Sequence, residues 1–211
     1  MAKEENVIKY YVLCNKLKSI IRTGWQDWHI NKERVESVAE HIYGTQMLAL
    51  AMYSEYKYDI DIQKVLTMLA IHELEEIIIG DLTLYQITPE EKTRKGHQAI
   101  EKVLSSLLDK EILKELIIEF DNKETKEANF AFQCDKLECD LQSKLYDEEC
   151  HVDVNNQKEI NENQIIKEYS AKGMTWSDIW MTQGRNRYNY DLPFKEVSEF
   201  AQKHNISKYK K

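Results

Sequence analysis

The chain has few residues that break helices: six glycines and two prolines in 211 residues. With abundant Glu, Lys, Leu and Ile, that scarcity predicts a mostly helical protein. Cysteine is also sparse, at Cys14, Cys134, Cys139 and Cys150, and no Cys-x-x-Cys occurs, which argues against a cysteine-built zinc site. No apolar run approaches the roughly 18 residues that a membrane span needs. The N-terminus, Ala2-Lys3-Glu4-Glu5-Asn6, lacks the apolar stretch of a signal peptide. These absences lead us to expect a cytoplasmic chain with reduced thiols and no membrane partner. Basic residues are outnumbered, giving a net charge of −8. An acidic chain is poorly suited to non-specific nucleic-acid binding, which leans on Lys and Arg against phosphates.

What is present is most concentrated between Ile71 and Asp81. Ile71-His72-Glu73-Leu74-Glu75-Glu76, closed by Gly80-Asp81, sets one imidazole and four carboxylates in an otherwise apolar segment. Buried charge is costly unless paired or bound to a metal. On a continuous helix His72 and Glu76 share a face. The segment therefore reads as a metal site or a general acid/base site. A solvated helix face with a core histidine fits it about as well. The zinc-protease pattern His-Glu-x-x-His fails, because its second histidine position is Glu76.

Apolar spacing predicts helices over about 5–21, 33–53, 62–79, 88–108, 109–120 and 123–146, with a loop at 22–33. Gly80 is placed to cap the third. Thr88-Pro89-Glu90-Glu91 is a start signal for the fourth, with an N-cap threonine, proline at the first helical position and acid at the third. A polar stretch after Asp147 separates a core (1–147) from a C-terminal helical extension (148–211) with helices near 158–170, 175–184 and 192–204. Trp176, Trp180, Phe194 and Phe200 are its expected apolar anchors.

Taken in order, Arg22-Thr23-Gly24-Trp25, Glu36-Ser37-Val38-Ala39-Glu40-His41, His72-Glu73, Glu76-Ile77-Ile78-Ile79-Gly80-Asp81 and Asp135 resemble the HD-domain metallohydrolases, and within them the 5′-deoxynucleotidase branch. The resemblance covers roughly residues 10–147. It implies an all-α HD-type helical bundle. It also implies one divalent transition metal (Zn, Mn, Co, Ni or Fe(II)) on His41, His72, Glu73 and Asp135. Glu76 would activate or orient water, Asp81 would contact the sugar or the leaving oxygen, and Arg22 would hold the phosphate. Trp25 would wall the nucleoside pocket, although core packing suits a tryptophan at that junction equally well. Where the family has aspartate beside the second histidine, this chain has Glu73, one methylene longer.

The implied activity is hydrolysis of deoxyribonucleoside 5′-monophosphates by a homodimer. Alternatives are a dNTP or cyclic-nucleotide hydrolase, or a non-catalytic nucleotide binder disabled at Glu73. A ferritin-like oxidase is excluded, since its Glu-x-x-His pairs would need Glu where Val38 and Leu69 stand. Lys92, Arg94 and Lys95 form a basic run that reads first as a solvated helix face. His29, His97, His151 and His204 belong to no motif, and Cys134 reads as a small buried hydrophobe.

Overall fold

The computed structural model describes residues 2–83, 86–153 and 164–210, and only the backbone over 164–166. The fold is all-α. Its helices are α1 (Lys3–Cys14), α2 (Thr23–Asp27), α3 (Val38–Tyr56), α4 (Ile62–Ile71), α5 (Glu76–Ile79), α6 (Pro89–Val103), α7 (Lys110–Asn122), α8 (Lys126–Glu148), α9 (Gln164–Ala171), α10 (Trp176–Tyr188) and α11 (Leu192–Lys203). Among the described residues the only β pairing is the single antiparallel bridge Ile21–Ser37. No helix among them is long and apolar enough to cross a membrane. The start expected at 158 lies outside the described residues.

Local chemistry explains the boundaries that frame the site. Ser37 and Glu40 form a reciprocal capping box: Ser37 Oγ accepts from the Glu40 amide, and Glu40 Oε2 accepts from the Ser37 amide at 2.9 Å. Helix α3 therefore starts at Val38, later than the expected 33. Thr88 accepts from the Glu91 amide, with Pro89 in the first turn, and starts α6 where the sequence predicts.

The helix expected over 62–79 is broken. It ends at Ile71, residues 72–75 form turns, and α5 resumes at Glu76. The backbone here closes three-residue bonds, from Leu74 N to Ile71 O (3.1 Å) and from Glu76 N to Glu73 O (3.2 Å). These tighter turns keep Ile71, Leu74 and Ile77 in the core, since residues three apart eclipse in such geometry. Gly80 follows with φ +76°, a conformation that glycine adopts without a Cβ penalty.

The chain divides into two compact units. One comprises Met1–Gly24 and Glu36–Phe132, the other Trp25–Val35 and Gln133–Lys211, so the division does not fall at residue 147. The first has a core of Leu17, Val38, Ile71, Leu74, Ile77, Ile100, Val103, Leu104 and Ile117. In the second, Trp25, Ile30, Tyr146 and Trp176 are buried, with Trp28 and Trp180 packed against them. Phe194 is fully buried, whereas Phe200 is half-exposed and stacks on His204. Also in the second unit, Asp140 is wholly buried and its Oδ2 accepts from the Tyr190 hydroxyl at 2.9 Å. Gly184 makes room for it, because a Cβ there would lie 2.7 Å from Asp140 Oδ1.

Candidate active site

Two backbone bonds deliver Arg22. The Arg22 amide donates to Glu36 O (3.0 Å) and the Val38 amide to Ile20 O (2.8 Å), which ties residues 20–22 to the start of α3. One turn into α3 is His41, fully buried. At the end of α4, His72 Nδ1 lies 2.8 Å from Leu69 O, and its ring packs 5.2 Å from that of Phe120. With Nδ1 donating to that carbonyl, Nε2 carries the lone pair, the usual arrangement for a ligand histidine.

The break at 72–75 turns Glu73 toward both imidazoles. Glu73 Oε1 is 3.6 Å from His72 Nε2 and 3.9 Å from His41 Nε2, and the ring centroids are 5.6 Å apart. One ligand atom from each of the three lies within 4.8 Å of the other two. Two imidazole nitrogens and a carboxylate are a mixed N/O donor set, which suits Zn, Mn, Co, Ni or Fe(II) better than Ca. The donor chemistry thus fits a divalent transition metal.

Around this cluster lie cations and further carboxylates. Arg22 Nη1 is 3.2 Å from Glu73 Oε1, and its Nε is 3.9 Å from Asp81 Oδ2. Asp81 is less free than expected. Its Oδ2 accepts from the Thr23 amide at 2.6 Å, and its carbonyl accepts from Thr23 Oγ1 at 2.5 Å. Asp81 thus fastens the turn next to Arg22, a role the sequence reading missed because it needed the pairing of residues 58 apart.

Glu76 is buried, and Lys92 Nζ lies 3.4 Å from its Oε1. Burial, then the charges of Glu73 and Asp81, push the Glu76 carboxyl well above the usual range. Glu75 packs against Gly96, and burial followed by the Glu73 charge raises it to about 8.

Asp135 belongs to the second unit. It is buried on α8, with Lys136 Nζ 2.7 Å from its Oδ2. Trp25 belongs there too. It is 2% exposed, with Tyr146 and Trp180 rings 5.4 Å away and Trp176 at 6.3 Å. The core-packing alternative is the one that fits Trp25, because no face of its ring is left open to stack on a base. His97 pairs with Asp121 at 2.8 Å, and Cys134 is fully buried.

A model of the HD domain family matches residues 14–173. The chain belongs to the HD domain family. Among relatives of this HD-domain chain, the 5′-deoxynucleotidase HDDC2 of Dictyostelium discoideum is 32% identical over 155 residues, covering 69% of this chain and 80% of that protein. The 5′-deoxynucleotidase hdd1 of Schizosaccharomyces pombe is 28% identical over 183 residues, covering 82% and 88%. The crystal structure of the PH0347 protein from Pyrococcus horikoshii OT3 superposes with a TM-score of 0.61 at 25% identity, over 84% of this chain and 98% of that one. The HD fold expected from the sequence is therefore the fold observed.

Proposed function

We propose that this HD-domain protein is a metal-dependent phosphohydrolase that converts deoxyribonucleoside 5′-monophosphates to deoxynucleoside and phosphate. The observation that carries the reading is the meeting of two imidazoles and a guanidinium on one carboxylate oxygen, Glu73 Oε1. The names of its relatives as 5′-deoxynucleotidases support the substrate class. We assign the metal to His41, His72, Glu73 and, following the family pattern, Asp135.

A bound divalent metal supplies an acidified water and a polarised phosphoryl group. The chain's own residues do the rest. Arg22 offers a planar fork of donors to the phosphate oxygens, which suits a dianion in an acidic protein. Asp81, through Thr23, fixes the turn that aims this fork. Glu76, buried and faced by the Lys92 ammonium, accepts the proton of the attacking water.

The test combines metal analysis with a phosphate-release screen over deoxy- and ribonucleoside mono-, tri- and cyclic phosphates. Metal-dependent release of phosphate from deoxynucleoside monophosphates is expected. Triphosphate or cyclic-phosphate turnover alone would replace the substrate assignment. Nucleotide binding without turnover would make the protein a sensor.

We also assign a homodimer, supported by α1. Val7, Ile8, Tyr11 and Val12 are exposed along one side of α1, with Glu4 before them and Lys16 after them in the chain. Two such stripes packed antiparallel set each Glu4 near the partner copy's Lys16, the self-complementarity a two-fold interface requires. Light scattering of wild type and Ile8→Glu checks it: dimer and monomer, respectively, are expected. A monomeric wild type refutes it.

A further inference from the structure

The basic run Lys92, Arg94, Lys95 does not act as one face. Arg94 and Lys95 both reach the exposed carboxylate of Glu91, at 3.9 and 2.9 Å. Lys92 points the other way. It stands one turn after the Thr88 cap, its amide donating to Thr88 O at 2.9 Å, so the start of α6 fixes its inward direction. Its Nζ lies 3.4 Å from Glu76 Oε1. The Glu76 side chain has no solvent exposure, and Glu76 Oε2 has no hydrogen-bond partner among the described residues. The charges of Glu73, Glu75, Glu76 and Asp81 all bear on the Lys92 ammonium. Burial disfavours that ammonium, and the acidic groups around it, Glu73 foremost, outweigh burial and raise its hold on the proton.

We propose that Lys92 is a positioning residue of the hydrolytic site: its ammonium holds Glu76 Oε1 and leaves Oε2 to meet the reacting water. This rests on the reading of Glu76 as proton acceptor. The geometry divides the labour between two cations. Arg22 stands at Glu73, where the phosphate is received, and Lys92 stands at Glu76, where the proton is received. A carboxylate with both oxygens loose would lose the orientation on which proton transfer depends. A lysine suits the task because a compact ammonium bonds one oxygen, whereas a guanidinium fork would engage both.

The rival role is plain charge balance for four crowded carboxylates, which would alter stability and not the chemical step. The experiment compares full-length Lys92→Met, Lys92→Arg, Glu76→Gln and the double variant Glu76→Gln/Lys92→Met. It measures metal content, kcat and KM on a deoxynucleoside monophosphate. Lys92→Met is expected to keep its metal and its KM within about twofold while kcat falls about 10–100-fold, the range seen when an orienting partner is removed. Lys92→Arg should recover part of kcat. The double variant should be no slower than Glu76→Gln alone, because residues acting as a unit are not additive. A rise in KM at constant kcat would make Lys92 a phosphate ligand. Additive losses would make it independent of Glu76. Either result overturns the proposal.

A crystal structure of Lys92→Met, or of Lys92→Gln if Met does not fold, supplies a readout that needs no turnover. The Glu76 carboxylate should swing away while His41, His72 and Glu73 stay in place; an unmoved Glu76 overturns the inference. If wild type releases no phosphate from any deoxynucleoside monophosphate, the substrate reading fails and this displacement still decides the role of Lys92.

Discussion

Arg22 Nη1 and Glu73 Oε1 are 3.2 Å apart, and the same Glu73 oxygen faces His72 at 3.6 Å and His41 at 3.9 Å. In the proposed site, one carboxylate would serve the metal position and the phosphate-binding guanidinium together. The extra methylene of glutamate gives it the reach. Glu73→Asp, pulled back by about 1.5 Å, one C–C bond, should lose the Arg22 contact. Metal affinity should fall about tenfold, as when an orienting partner is lost, and KM should rise. Competition titration against a chelator and steady-state kinetics check this. An unchanged affinity with an unchanged KM would show that residue 73 serves neither.

His72→Ala and Asp135→Ala should each lose the metal while the far-ultraviolet circular dichroism stays helical. Elemental analysis of the purified variants reads the outcome directly. One metal per chain in both variants would refute the ligand set.

Glu76→Ala and Arg22→Ala should differ kinetically. The first should lower kcat by about 10²–10⁴-fold at constant metal content, the range of a general base. The second should mainly raise KM. Full turnover by Glu76→Ala would remove its role as proton acceptor.

Asp140 offers a test of stability that is independent of catalysis. Burial raises its carboxyl to about 8, only partly offset by the Tyr190 hydroxyl and the Arg185 charge. The folded state thus holds this proton more tightly than the unfolded chain, where an aspartate titrates near about 3.9. Its contribution is fully present below pH about 4 and is lost as pH rises toward 8. Asp140→Asn retains an acceptor for Tyr190 and cannot ionise, so its melting temperature should gain on that of wild type between pH 5 and 8. Parallel pH profiles for the two proteins would show that Asp140 is ionised throughout.

The sequence made the start of α6 legible, because Thr88, Pro89 and Glu91 act within one turn and need no tertiary partner. It also marked His41, His72 and Glu73, which the structure brings together. The break at 72–75 was not legible. Ile71, Leu74 and Ile77 recur every three residues, a spacing that serves one helical face and a chain of tight turns alike. Lys92 could not be told from Arg94 and Lys95, because which of three neighbouring cations turns inward depends on where α6 lies beside Glu76. Trp25 was ambiguous for the same reason, since its neighbours Tyr146, Trp176 and Trp180 are more than a hundred residues away.

Because Trp25–Val35 is grouped with Gln133–Lys211, the polypeptide passes between the two compact units three times, once inside α2 and once inside α8. Neither unit is a contiguous cassette. A genetic fusion, a recombination breakpoint or a truncation placed at residue 132 or 147 would separate Trp25 and Trp28 from Trp176 and Trp180. For this chain, unlike a beads-on-a-string protein, neither unit can be exchanged as one continuous segment.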